Sequence, residues 1–249
     1  MPITLGRQLS NYNAVDTLII LYPQGKSPLT HLYPALRKSL INTLKPLLKA
    51  DLLKGGFLQS KVVHHSTNPK TVILIGTGKT ASTDNIRHAL GTSARLLATY
   101  QIKKVAIAFP ERPKRVTSAS FGQLVAEGLF LGSYRFHDYK SEVKDLSKPL
   151  QVRHITPLGL SPKHFSDFKK GFIKGTSVAK GTNVARDVIH HPANIMTPQH
   201  VVDMAKRIFK EGPIPLSLID KKKAKTLGMN AFLGVAQGSI HDPYMLVLT

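Results

Sequence analysis

The sequence predicts an α/β protein: a mostly parallel sheet covered by helices, a long linking helix, and then an incomplete second α/β unit. Three features point there. Short, mostly apolar strand candidates alternate with amphipathic helical stretches between Val15 and Gly132. That alternation is the pattern of parallel strands buried on both faces by crossover helices. A helical pattern then runs from Ser161 to Ile189, and beyond Pro198 helix and strand patterns resume as far as Tyr244–Leu248.

The elements follow in order. Val15–Tyr22 (VDTLIILY) is a buried strand closed by Pro23-Gln24-Gly25. His31–Ala50 is a helix, because Leu32, Leu36, Leu40, Leu44, Leu47 and Leu48 recur at three- and four-residue steps. Pro34 suits its first turn, and Pro46 should kink it or end it early. Thr71–Ile75 is a second buried strand, ending in the turn Gly76–Thr80. Asp84–Tyr100 is a helix with Asp84 as N-cap, and Lys104–Phe109 is a third strand, ended by Pro110. Ser118–Gly132 is a helix with Phe121, Leu124, Val125, Leu129 and Phe130 inward, and Lys148–Leu158 is strand-like. The long helix turns Phe165, Phe168, Phe172 and Ile173 inward.

A domain boundary is placed at about Leu158–Lys163, giving residues 1–160 and 161–249. In the second unit the helix ends at His190-His191-Pro192, since the residue before proline avoids the α region. Thr197-Pro198 then restarts a helix, with Thr197 as N-cap and proline at the first position. Pro198–Lys210 is helix, Pro215–Ile219 strand, Lys221–Leu227 a short basic helix closed by Gly228, Ala231–Val235 strand, and Tyr244–Leu248 strand.

Composition narrows the classes. An apolar fraction of 42% is that of a globular chain, and no apolar run approaches the ~20 residues of a membrane helix. There is no cysteine, so thiolate metal sites and disulfides are excluded. Lys and Arg number 35 against 14 Asp and Glu, a net charge of +21. Such a surplus suits a polyanionic partner or an acidic neighbouring subunit; it also suits a generally basic surface. The positives are scattered, with Lys221-Lys222-Lys223 the only run of three. MPITLGRQLSNYN is too short and too weakly amphipathic to read as a transit peptide.

Chemistry is sparse. Gly76-Thr77-Gly78-Lys79-Thr80 invites a phosphate-loop reading, but the Walker spacing needs a glycine where Ile73 stands. A glycine turn after a strand can still offer N–H groups to an anion, so a nucleotide or ADP-ribose site here is a further expectation, on fold analogy alone. Eleven histidines include the pairs His64-His65 and His190-His191, whose neighbouring side chains point different ways. Ser120, Ser133 and Ser239 lack a nucleophile elbow. No catalytic, metal-binding or cofactor-binding residue is assigned.

Three stretches carry a resemblance. Glu127–Ser141 (EGLFLGSYRFHDYKS) presents Glu127, Gly128, Leu131, Tyr134, Phe136, Tyr139 and Lys140; Asn183–Pro198 (NVARDVIHHPANIMTP) presents Asn183, Arg186, Asp187, Pro192, Asn194 and Pro198. Leu227–Ser239 presents Leu227, Gly228, Met229, Leu233, Val235, Gly238 and Ser239. In this order they resemble the leucyl (cytosol) aminopeptidase family, with Val188 and His190 as departures in the second. The resemblance implies a macro-domain-like amino-terminal domain, a linking helix and a catalytic α/β domain. It also implies homohexamers, cytoplasmic location (mitochondrial as the alternative), and peptide hydrolysis at two divalent ions, Zn or Mn, holding a bridging water. The family's metal ligands lie in G-K-G-x-x-x-D-S-G-G and N-T-D-A-E-G-R motifs, and neither occurs here. The expectation is therefore an inactive amino-terminal part, whether a fragment, a truncated gene product or the ordered part of a longer chain, with Asn183, Arg186, Asp187 and Asn194 bracing the domain junction. The alternative is a catalytically dead, basic subunit that binds nucleic acid or serves a larger assembly.

Overall fold

The computed structural model describes residues 3–6, 15–30, 32, 34–109, 112–139, 150–210 and 212–249. His31, Pro110, Lys140, Ser141 and Lys148, used above, lie outside that set. The chain divides into two compact units, Met1–Asn183 and Val184–Thr249.

The first unit is built on a six-stranded sheet of β1 (Thr4–Leu5), β2 (Thr17–Tyr22), β3 (Ser60–His64), β4 (Thr71–Gly76), β5 (Lys104–Ala108) and β6 (His154–Pro157). Their order is β1-β6-β5-β2-β4-β3, parallel throughout except for β3 against β4. Helices α1 (Pro34–Lys49), α2 (Thr83–Thr99), α3 (Ser118–Gly132) and the 29-residue α4 (Pro162–His190), as far as Asn183, complete it.

Strand alternation explains why the central strands read as continuous apolar runs. Leu18, Ile20 and Tyr22 of β2 face one way, into a core closed by Leu36, Leu40 and Leu44 of α1. Ile19 and Leu21 face the other, into a core closed by Leu90 and Leu97 of α2, Phe121 and Leu124 of α3, and Phe168 and Phe172 of α4. Both faces are covered, so neither needs polar residues.

Three expectations are corrected here, and two strands are added. Pro46 does not end α1 early: the helix runs through it to Lys49. Pro46 and Asn42, four residues before it, are exposed, so water can meet the freed Asn42 carbonyl, while Leu47 and Leu48 hold the last turn against the core. The N-cap of α2 is Ser82, whose Oγ accepts from Asn85 N–H at 3.1 Å; Asp84 sits within the first turn. Ile173 is 56% exposed, because one residue beyond the buried Phe172 is 100° around the helix. Strands β1 and β3 were not anticipated: β1 has two residues, and β3 (SKVVH) lies half-buried at the sheet edge.

In the second unit α5 (Pro198–Phe209) begins at the Thr197 cap, whose side chain accepts from His200 N–H. Strands β7 (Leu216–Ile219) and β8 (Met245–Leu248) pair antiparallel. Between them lie α6 (Lys221–Thr226), followed by Gly228 at φ +68°, and α7 (Asn230–Ala236). The last corrects the strand expected at Ala231–Val235. A short apolar run carries no period of its own, and this one holds a single β-branched residue, Val235, which is 89% exposed.

Candidate functional site

Two of the singled-out motifs meet in the first unit. Glu127 and Gly128 lie on α3, and Asn183 lies on α4. The Asn183 side chain donates to the Phe130 carbonyl at 3.3 Å, across 53 positions of sequence. That carbonyl is in the last turn of α3, where the helix leaves acceptors without internal partners, and Ser133 Oγ donates to it as well. Asn183 thus fastens α4 to the end of α3.

Three residues before Phe130, Glu127 is buried, 4% exposed. Its Oε2 accepts from Arg87 Nε of α2 at 2.6 Å and its Oε1 from Gln123 Nε2 at 2.7 Å. Burial works to lower the pKa of Arg87, but Glu127 and Asp84 outweigh it and hold the guanidinium above its ordinary value. A carboxylate buried and satisfied in this way braces a helix pair.

The junction motif continues in the second unit. His190 Nδ1 lies 2.6 Å from the Arg186 carbonyl, and the His191 and His200 rings sit 5.7 Å apart, tilted. The amides of Ile195 and Met196 donate to the Pro192 carbonyl, shaping the turn before the Thr197 cap. In the other histidine pair, His65 has both ring nitrogens at carbonyls, Nδ1 on Thr67 and Nε2 on Ser39, while His64 stacks edge-on against Tyr100. Among the described residues no three of His, Asp or Glu converge as a metal would require. The donor set of the described residues does not fit two divalent ions.

The turn after β4 is occupied by the protein itself. Gly76 N–H donates to Gln59, Thr77 N–H to Tyr22 and Gly78 N–H to Gly55, all at main-chain carbonyls. A Cβ on Gly76 would collide with the carbonyl of Gly56, so the 55–58 loop sits directly against the turn. Asn85 Nδ2 takes the Thr77 carbonyl at 3.1 Å. Three amides of the turn, those of Gly76, Thr77 and Gly78, are thus already donated within the protein. Beneath them the buried Tyr22 phenol has its pKa pushed up by desolvation, against a smaller lowering from its hydrogen bond to the Gly55 backbone.

Comparison with known proteins agrees with the motif order. Residues 20–143 match the model of the cytosol aminopeptidase family, N-terminal domain, and residues 183–249 that family's catalytic domain. A probable cytosol aminopeptidase of Alkaliphilus metalliredigens (strain QYMF) is 27% identical over 249 residues, 98% of this chain and 49% of the relative. One from Persephonella marina (strain DSM 14350 / EX-H1) is 30% identical over 69% of this chain and 34% of its own length. The chain spans about half the length of the curated relatives it matches most fully. Among solved structures, a mutant of tomato leucine aminopeptidase superposes with a TM-score of 0.79 at 22% identity, covering 98% of this chain and 50% of the other. The bottromycin maturation enzyme BotP in complex with Mn gives 0.70 at 19% identity, over 94% and 45%. At these identities the structures speak to the fold.

Proposed function

The chain belongs to the cytosol aminopeptidase family, and from that premise we propose that it supplies the outer unit and the opening of the catalytic unit of a metallo-aminopeptidase, without hydrolysing peptides by itself. One observation carries the reading. Both family domains are matched in order, yet the described residues gather no metal-ligand set. In this reading the polar residues of the motifs are structural: Asn183 and Glu127 tie α4 and α2 to α3. Two divalent ions, Zn or Mn, and a homohexamer are what the family resemblance supplies for a complete member. No helix among the described residues is long and apolar enough to cross a membrane. The cytoplasm is the proposed compartment, with the mitochondrion as the alternative. The test is direct: incubation with leucine amide and Mn²⁺ or Zn²⁺ should give no turnover above a metal-only control. Turnover above that control would overturn the reading.

A second reading, a basic subunit that binds nucleic acid, is favoured by α4. Lys163, Lys170 and Lys174 are exposed along one crest of that helix, in a chain of net charge +21. Contacts with Z phosphates would make log K fall with log salt at a slope of about −0.9Z on duplex DNA. No binding at low salt would remove this reading.

A further inference from the structure

A groove of about 1170 Å³ runs along the first unit between α4 and the sheet edge formed by β1. It is independent of the aminopeptidase reading, and three of its properties agree on one kind of occupant.

The first is an open backbone edge. Thr4 N–H donates to Arg153 and Gly6 N–H to Ile155, so alternate residues of β1 bond inward to β6. Strand alternation turns the N–H and C=O of Leu5 outward, and among the described residues no strand lies on that side. An unpaired edge is a template for one more strand. The second property is an apolar floor, made by Leu5 of β1 and Ile3 just before it with Phe130, Phe165 and Phe172 of the facing helices. The third is charge. Lys169 and Lys180 line the α4 wall, both exposed and without an acidic partner among the described residues. Eleven residues is three helical turns, so the two ammoniums stand on the same flank about 16 Å apart. That span equals about five residues of extended chain.

We propose that this groove binds an extended segment of an acidic partner protein, which adds as a strand beside β1. Its apolar side chains fill the floor and its carboxylates meet Lys169 and Lys180. Charge decides against a second copy of this chain as the occupant. With 35 basic and 14 acidic residues, a copy would bring mostly like charge to a basic wall. The backbone edge and apolar floor decide against nucleic acid, which offers neither strand-pairing groups nor aliphatic side chains.

The experiment uses the whole chain and fluorescein-labelled (Glu-Val)4 in an anisotropy titration at low salt. Three companion probes are (Lys-Val)4, (Glu-Val)4 N-methylated at alternate residues, and a 20-base-pair DNA duplex. Saturable binding of (Glu-Val)4 is expected, with at least tenfold weaker binding of the N-methylated peptide and of (Lys-Val)4. The K169E/K180E double variant should lose tenfold or more for (Glu-Val)4. N-methylation leaves the protein untouched, so strand addition is tested without any risk to folding. Equal binding of the methylated peptide, or unchanged binding by K169E/K180E, would overturn the proposal. So would absence of (Glu-Val)4 binding, binding of the duplex alone through these lysines, or sedimentation showing that the groove variant abolishes self-association instead.

Discussion

Arg87 Nε and Glu127 Oε2 lie 2.6 Å apart, joining α2 to α3 through a carboxylate that is buried and a guanidinium that is one-third exposed. The two sides of this pair are unequal. Among the described residues Glu127 has Arg87 and Gln123 to satisfy it, whereas Arg87 also reaches Asp84 at the surface. Removing Arg87 therefore strands a buried charge, and removing Glu127 leaves a cation that can turn to Asp84 and water. Arg87→Met should cost about 3 kcal/mol and Glu127→Gln about 1 kcal/mol, with the double variant Arg87→Met/Glu127→Leu less damaged than Arg87→Met alone. Urea unfolding of the three variants checks the order. Equal losses at the two positions would show that the asymmetry is not energetic.

Two glycines of α4 make opposite predictions. A Cβ on Gly171 would run into the Ala119 carbonyl of α3, so this glycine sets how closely the helices approach. Gly181 has nothing within 4 Å of the place a Cβ would occupy. Alanine gains about 1 kcal/mol of helix propensity over glycine at either site. At Gly181 that gain should be realised, raising stability by about 0.5–1 kcal/mol. At Gly171 the overpacking should outweigh it, for a net loss of about 2 kcal/mol. Thermal unfolding of the two single variants separates these cases; a stabilising Gly171→Ala would mean the α3–α4 contact is loose.

These cases show what the sequence could reveal. Strands β2, β4 and β5 and helices α2 to α5 are legible because burial on one or both faces writes itself as local periodicity. The family motifs were legible as spelling. What Glu127 and Asn183 do was not, because their partners stand 40 and 53 positions away and no local pattern marks them. Strand β1 was missed because two residues carry no alternation, and it became visible only through its pairing with β6. The partners of the Gly76 and Gly78 amides were hidden for a similar reason: Gln59 and the 55–58 loop that meet the turn are distant in sequence.

Tyr22 gives a pH prediction. The folded protein holds the phenolic proton more tightly than the unfolded chain, whose tyrosine titrates near 10.0. The stability it contributes is fully present below pH 10 and is lost as pH rises through the higher folded value. Tyr22→Phe removes the hydrogen bond to Gly55 and should cost about 1 kcal/mol at pH 8. Phenylalanine has no proton to lose, so the gap between variant and parent should narrow and then reverse above pH 10. Surface lysines titrate alike in both proteins and cancel from the difference. Urea unfolding at pH 8 and pH 11 reads it, and a gap independent of pH would contradict the buried, protonated phenol.

The turn after β4 should not bind anions. Its first three amides are donated to Gln59, Tyr22 and Gly55, and a phosphate could take them only by opening those contacts. A ligand at 100 times its Kd stabilises by about 2.7 kcal/mol, roughly 5–10 °C in a unit of this size. Titration with inorganic phosphate or ADP-ribose is expected to leave the melting temperature where an equal ionic strength of chloride leaves it. The turn should instead be sensitive to bulk: Gly76→Ala forces the Gly56 carbonyl away, and Gly78→Ala must hold a φ of +76° that a Cβ disfavours. Each should cost about 1–3 kcal/mol. A thermal shift with ADP-ribose that Gly76→Ala abolishes would restore a nucleotide site at this turn and remove the structural role given to it.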